Sequence, residues 1–160
     1  MYMRLGDILV ERGVLTAEQS ELILDEQRRC NRPFGVLAER LFGVRESVVE
    51  EAWAEQYATL AEVVDPSSAA VANELLSLVE RRQAWQFGVL PLSWSRGELV
   101  VCSTKVHLAR AMRFVGWRVG VPSSFVLAHP VTLGQALNRF YPIDGLDPTM
   151  IGERRLAFAG

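Results

Sequence analysis

The sequence has little of what most catalytic and membrane proteins need. Two cysteines occur in 160 residues, Cys30 and Cys102, far apart and outside any CxxC spacing. Neither a disulfide framework nor a zinc site is indicated, and a reducing compartment suits the chain. No stretch approaches the roughly 18 consecutive apolar residues of a membrane span. The opening Met1-Tyr2-Met3-Arg4-Leu5-Gly6-Asp7 also lacks the basic-then-apolar plan of a signal peptide. A cytoplasmic protein with no membrane insertion is therefore expected. Excess positive charge is missing too: the net charge is -2, and the 22% of charged residues mix both signs. That excludes the broad field that duplex nucleic acid needs, so an anionic ligand has to be held locally.

Catalytic signatures are equally sparse. No glycine-rich GxxxxGKS or GxxxxGKT stretch is present, so nucleotide hydrolysis is not expected. No serine sits in a GxSxG context. The two histidines, His107 and His129, have no sequence-adjacent Cys, His or carboxylate cluster, which favours capping or surface roles over metal binding. Asp25-Glu26 and Glu50-Glu51 are neighbours on helical segments, where adjacent residues point to different sides. Cys30 follows Arg28-Arg29 but reads as an ordinary surface thiol. The expectation is a protein that is not an enzyme and carries neither cofactor nor metal.

What the chain does have is a hydrophobic content of 49%, enough for one core or two small ones, and an internal repeat. Residues 4–27 pair with 33–56 at a constant offset of 29. In the first copy Leu5-Gly6 opens a short apolar helix that Gly13 ends, and Thr16-Ala17-Glu18-Gln19 is a capping-box pattern starting a second helix to about Arg29. Ser20, Ile23, Leu24 and Gln27 share one face of that helix. In the second copy Phe34-Gly35 opens a helix through Leu41, and Val48, Val49, Ala52, Trp53 and Gln56 form the matching face. Two grooves related by pseudo-symmetry are expected.

The string Arg4-Leu5-Gly6, followed by Leu9, Gly13, Leu24 and Gln27, resembles the duplicated motif of the MshE-type N-terminal domain of type II secretion and type IV pilus assembly ATPases. The resemblance implies that cyclic di-GMP is the ligand, each copy holding half of it. It assigns ligand contact to Arg4, Leu5, Gly6, Leu24 and Gln27 in the first copy. In the second it points to Arg32, Phe34, Gly35, Trp53 and Gln56. The first copy departs from the pattern at Ser20, where a leucine is expected. The second departs at Pro33, Phe34, Phe42, Val49 and Trp53, and Phe42 followed by Gly43 implies a shifted turn. Arg32 stands one residue before the missing arginine and is the candidate to replace it. Trp53 has two readings: it stacks on a purine, or it fills the groove and abolishes binding. Arg28, Arg29 and Arg32 also have two, as cations at a helix C-terminus or as phosphate contacts.

Asp65-Pro66-Ser67-Ser68 marks a boundary. Beyond it, Val71, Leu75, Leu78 and Val79 indicate a helix and Arg81-Arg82-Gln83-Ala84-Trp85 a short second one, with Trp85 inside and its arginines outside. Strands are expected at Val89–Ser93 and Leu99–Cys102, joined by a turn over 94–98. A helix through Leu108, Met112, Val115 and Val119, a strand over 124–128 and a helix over 131–141 complete the order. The fold class is α+β: a helical tandem-repeat subdomain (1–64), an α-β-β-α-β-α subdomain with a three-stranded sheet (65–142), and a flexible tail (143–160). This order resembles the second subdomain of the same ATPases, from which the following ATPase is expected to be missing. Two functions follow from the resemblance: a cyclic di-GMP-binding signalling module, or a docking domain for a secretion or pilus protein, or a separate ATPase, that has lost the dinucleotide.

Overall fold

The computed structural model describes residues 4–152 and divides the chain into two compact units, Met1–Leu60 and Ala61–Gly160. The first unit is four helices: α1 (Leu5–Glu11), α2 (Ala17–Cys30), α3 (Phe34–Phe42) and α4 (Glu46–Ala58). The Thr16 hydroxyl accepts from the Gln19 amide at 3.1 Å and the Gln19 side chain accepts from the Thr16 amide at 2.9 Å. These bonds satisfy two amides that the first turn of α2 would leave bare. Gly13 (φ 72°) and Gly43 (φ 65°) follow the two short helices in the left-handed conformation; α3 ends two residues later than the repeat offset implies and its glycine stands one residue later, so the second turn is shifted as expected.

Burial repeats with the same offset of 29. Ile8, Leu9 and Ile23 of the first copy and Leu37, Ala38 and Ala52 of the second form one core with Leu15. Each helix pair is too small to bury its apolar stripe alone, so the two copies supply each other's core. Where they cross, side chains are excluded. A Cβ on Gly6 would lie 2.8 Å from Ser20 Oγ and 2.9 Å from Phe34 Cζ, and one on Gly35 would lie 2.6 Å from Val49 Cγ1 and 3.6 Å from Leu5 Cδ2. Leu5 and Phe34 are equivalent positions, as are Ser20 and Val49, so this contact is reciprocal. Arg12 adds an ion pair to Glu55, with Glu51 3.9 Å away, joining the end of α1 to α4.

The second unit carries the sheet. β1 (Leu90–Ser95) pairs antiparallel with β2 (Glu98–Ser103), and β2 pairs parallel with β3 (Ser123–Leu127), in the order β1-β2-β3. Its helices are α5 (Asn73–Leu76), α6 (Arg81–Phe87), α7 (Leu108–Phe114) and α8 (Pro130–Phe140). The expected α+β class and the α-β-β-α-β-α order are both found. Trp85 is fully buried and its indole N–H donates to the Tyr141 carbonyl at 2.7 Å, while the Tyr141 hydroxyl donates to the Leu76 carbonyl at 2.8 Å. His129 caps α8, its Nδ1 accepting from the Val131 amide at 3.2 Å. Cys102 is buried, which pushes its thiol pKa up to about 12 and leaves it inert at neutral pH. Among the described residues no helix is long and apolar enough to cross a membrane, and no group of three or more His, Cys, Asp or Glu side chains gathers where it could hold a metal ion.

Four expectations are corrected. The hairpin turn is two residues, Arg96 (φ 52°) and Gly97 (φ 81°), because left-handed turn residues match the twist of the strands and let pairing continue to Ser95 and Glu98. Residues 62–64 belong with the second unit: the Leu127 amide donates to the Glu62 carbonyl and the Val64 amide to the Leu127 carbonyl, each at 2.8 Å, so a parallel bridge extends the β3 edge. The helix expected around Val71 to Val79 is only the four residues of α5. The tail is structured at Pro148–Gly152, a 3-10 turn that fully buries Ile151 and lies so close to α8 that a Cβ on Gly134 would overlap the Pro148 carbonyl. Residues 153–160 of the expected tail lie outside the described residues.

Two measurements test this packing. Gly35→Ala should destabilise the protein by about 1–2 kcal/mol in urea unfolding, since the overlap with the stiff Val49 side chain outweighs the helix propensity gained. In a Val49→Ala background the same change should become neutral or stabilising; equal effects in both backgrounds would contradict the Gly35–Val49 contact between α3 and α4. His107 Nδ1 lies within hydrogen-bond distance of Thr104 Oγ1 at 2.8 Å, and the same oxygen accepts from the His107 amide at 3.1 Å, so the ring is fixed in a partly buried site. Burial first, and Arg110 second, hold the His107 pKa below its ordinary 6.5. The unfolded chain therefore binds the extra proton, and stability should fall as pH drops from 7 through 6.5 toward 5. His107→Gln should flatten part of that slope; an unchanged slope would refute the assignment.

Candidate ligand-binding cleft

The helix crossing leaves an open cleft of about 680 Å³ within the first unit. Its lining comes from all four helices and from both copies of the repeat. Arg4, Leu5 and Gly6 enter from the start of α1, Leu24 and Gln27 from α2, Phe34 and Gly35 from the start of α3, and Trp53 and Gln56 from α4. The two expected grooves are thus a single cavity, because Leu5 packs toward Gly35 and Phe34 onto Gly6 across the crossing.

The backbone explains these positions. Arg4 caps α1 in an extended conformation, and its amide donates to Asp7 Oδ2 at 3.1 Å, which leaves the Arg4 side chain exposed at the rim. Leu24 and Gln27 are three apart and so lie on one face of α2, as Trp53 and Gln56 do on α4. Trp53 is 49% exposed and meets Tyr57 edge-on at a centroid distance of 6.2 Å. It forms a wall of the cleft and does not plug it.

Arg32 does not line the cleft. Asn31 closes α2 with a left-handed φ of 54°, and the reversal leaves Arg32 exposed in the link to α3 while Pro33 faces the cavity. Arg28 and Arg29 pair with Asp25 (3.0 Å) and Glu26 (3.7 Å) on their own helix, the arrangement expected of cations near a helix C-terminus.

The sequence reading passed over three lining carboxylates, Asp7, Glu21 and Glu39. With Arg4 as the cation among the described lining residues, the wall holds more acceptors than donors. It suits a ligand that presents N–H donors and flat apolar faces better than a bare polyphosphate. Nothing local in the sequence marks these acids, since they fall at non-equivalent positions of the two copies and look like solvated helix charges.

Comparison with known proteins gives one family. The model of the MshEN domain matches residues 59–145, more than half of the chain. The match takes in the second unit as far as residue 145 and leaves the cleft-lining residues of the first outside it. None of the curated proteins matches. Among solved structures, that of MshE with cdg is 25% identical, covers 87% of this chain and 99% of that one, and superposes with a TM-score of 0.47. That of the N-terminal domain of XpsE is 16% identical, covers 88% and 99%, and has a TM-score of 0.41. The chain belongs to the MshEN domain family.

Proposed function

We propose that the cleft of the first unit binds cyclic di-GMP and that the protein is a non-catalytic signalling module. The observation that carries this reading is the convergence of Arg4, Leu5, Gly6, Leu24 and Gln27 with Phe34, Gly35, Trp53 and Gln56 on one cavity of about 680 Å³. That volume is within the range of about 300–1,000 Å³ usual for small-molecule sites. A ligand with two equivalent halves suits a wall made of two equivalent copies.

The chemistry of each half follows from the lining. Leu5 and Leu24 offer apolar surface to one base, Phe34 and Trp53 to the other. Gly6 and Gly35 leave backbone accessible beside the ligand, and Gln27 and Gln56 bring paired donors and acceptors. Arg4 supplies the cation for a phosphate. Glu21 and Glu39 are acceptors for the N1–H and N2–H donors on the edge of guanine, which adenine replaces with a lone pair at N1. A carboxylate facing that lone pair would be left unpaired, so the site should discriminate strongly against adenine. A cytoplasmic setting goes with this ligand, and a change in partner docking is the output that a module without its own reaction would deliver.

Calorimetric titration of the purified chain with cyclic di-GMP, alongside GTP and cyclic di-AMP, tests the proposal. Selective binding of cyclic di-GMP is expected, weakened by Arg4→Ala roughly tenfold or more, as for a charge-assisted hydrogen bond. Trp53→Ala should weaken it by about 1–3 kcal/mol if the indole stacks on a base; tighter binding would identify Trp53 as an obstruction. Absence of heat from folded protein at high ligand concentration would sink the receptor reading and leave docking as the function.

A further inference from the structure

A second cleft, of about 660 Å³, opens in the other unit between α6, α7 and the residues that follow α7. Its floor is aromatic: Phe87 and Phe114 stack with centroids 4.2 Å apart and planes 7° from parallel. The Arg110 guanidinium lies over Phe87 at 5.6 Å, and Arg113 also lines the cleft. Beyond Phe114 the helix widens into a π-helical turn, Val115–Val119, closed by Gly120 at φ 68°. Such turns are uncommon and are found frequently at functional sites. This one carries Trp117, 82% exposed, to the edge of the cleft.

Charge gives the occupant its character. The cleft lining has two arginines and no carboxylate. The sequence has no Asp or Glu from Leu99 to Ile143, a stretch that holds Lys105, Arg110, Arg113, Arg118 and Arg139. Residues 61–160 contain ten Lys and Arg against eight Asp and Glu, whereas residues 1–60 contain seven against eleven, so the slightly basic part of an acidic chain is the one that holds this cleft. Exposed tryptophan and arginine around an apolar floor are also the residue types that dominate binding energy at protein interfaces.

We propose that this cleft docks an acidic protein segment: a short stretch rich in Asp and Glu that inserts one large apolar side chain against the Phe87–Phe114 floor and under Trp117. Its carboxylates pair with Arg110, whose guanidinium lies over the Phe87 ring, and with Arg113 beside it in the lining. Duplex nucleic acid fits poorly, because two lining cations neutralise few phosphates and the backbone would cover the aromatic floor without using it. A membrane surface fits poorly as well, since the apolar groups line a concavity and one side chain alone projects.

The test is selection of a displayed random-peptide library on the intact chain, followed by titration of the best synthetic peptide. Enrichment of Asp and Glu around a Leu, Phe or Trp is expected, with affinity that falls as salt rises. Trp117→Ala should weaken binding at least about tenfold, as for an interface anchor, and Arg110→Gln with Arg113→Gln should weaken it and flatten the salt dependence. Because these three side chains are exposed, circular dichroism should be unchanged; if a variant does not fold, peptide protection of the α7 and 115–119 amides in hydrogen exchange on the unaltered protein decides instead. Peptides without acidic bias, affinity indifferent to Trp117, or no protection over α7 would overturn the proposal. So would displacement of the peptide by a DNA duplex or by phosphatidylserine vesicles with higher affinity than its own.

Discussion

The first unit depends on two glycines. Gly6 and Gly35 stand where the two copies of the repeat meet: a Cβ on Gly6 would press on Phe34 of the other copy, and Gly35 lies in contact with Leu5 of the other copy while Val49 of its own copy leaves no room for a Cβ. Close approach there lets Ile8, Leu9 and Ile23 meet Leu37, Ala38 and Ala52 in one dry core, which neither helix pair could form alone. It also dictates the shape of the surface above. With Leu5 drawn toward Gly35 and Phe34 onto Gly6, the two motif starts are brought side by side, and the grooves they would have made separately become one cleft.

The divergence between the copies is consistent with this packing. Leu9 and Ile23 in the first copy correspond to Ala38 and Ala52 in the second, so the second copy gives up core volume on its long helix. It regains bulk at Phe34, Phe42 and Val48, which pack against the same core from its edge. Trp53, next to Ala52, points instead to the cleft wall. The substitutions that make the second motif look degraded therefore do two different things. Some rebalance the core, while Trp53 changes the chemistry of the cavity from aliphatic to aromatic.

Much of this was legible because it rests on local chemistry. The offset of 29, the capping box at Thr16 and Gln19, and the glycines that end α1 and α3 each have a short-range physical cause, and the helices start and stop close to where those residues put them. The misses have non-local causes. The bridge from Glu62–Val64 to Leu127 is backbone pairing across more than sixty residues, with no side-chain signature. Ile151 and its neighbours Leu146 and Met150 are scattered among Gly, Pro and charge without a helical or strand period, and packing of the 148–152 turn against α8 is what orders the stretch. Arg32 was placed by analogy of position, but the left-handed Asn31 decides where it points. The aromatic-arginine cleft escaped because its residues come from two helices separated by the hairpin, and each helix alone reads as an ordinary amphipathic segment.

The two clefts can be told apart thermodynamically because each draws its lining from one unit. A ligand that binds only the folded form stabilises it by RT ln(1 + [L]/Kd), about 2.7 kcal/mol at a hundred times Kd. A dinucleotide touching α1, α2, α3 and α4 together would place that stabilisation on the openings that separate those helices, since each helix contributes lining. Amides of α2 and α4 would then slow in hydrogen exchange while those of α7 would not. An acidic segment lying on α6 and α7 would reverse the pattern, and protection of both sets by either ligand would mean that the units open as one.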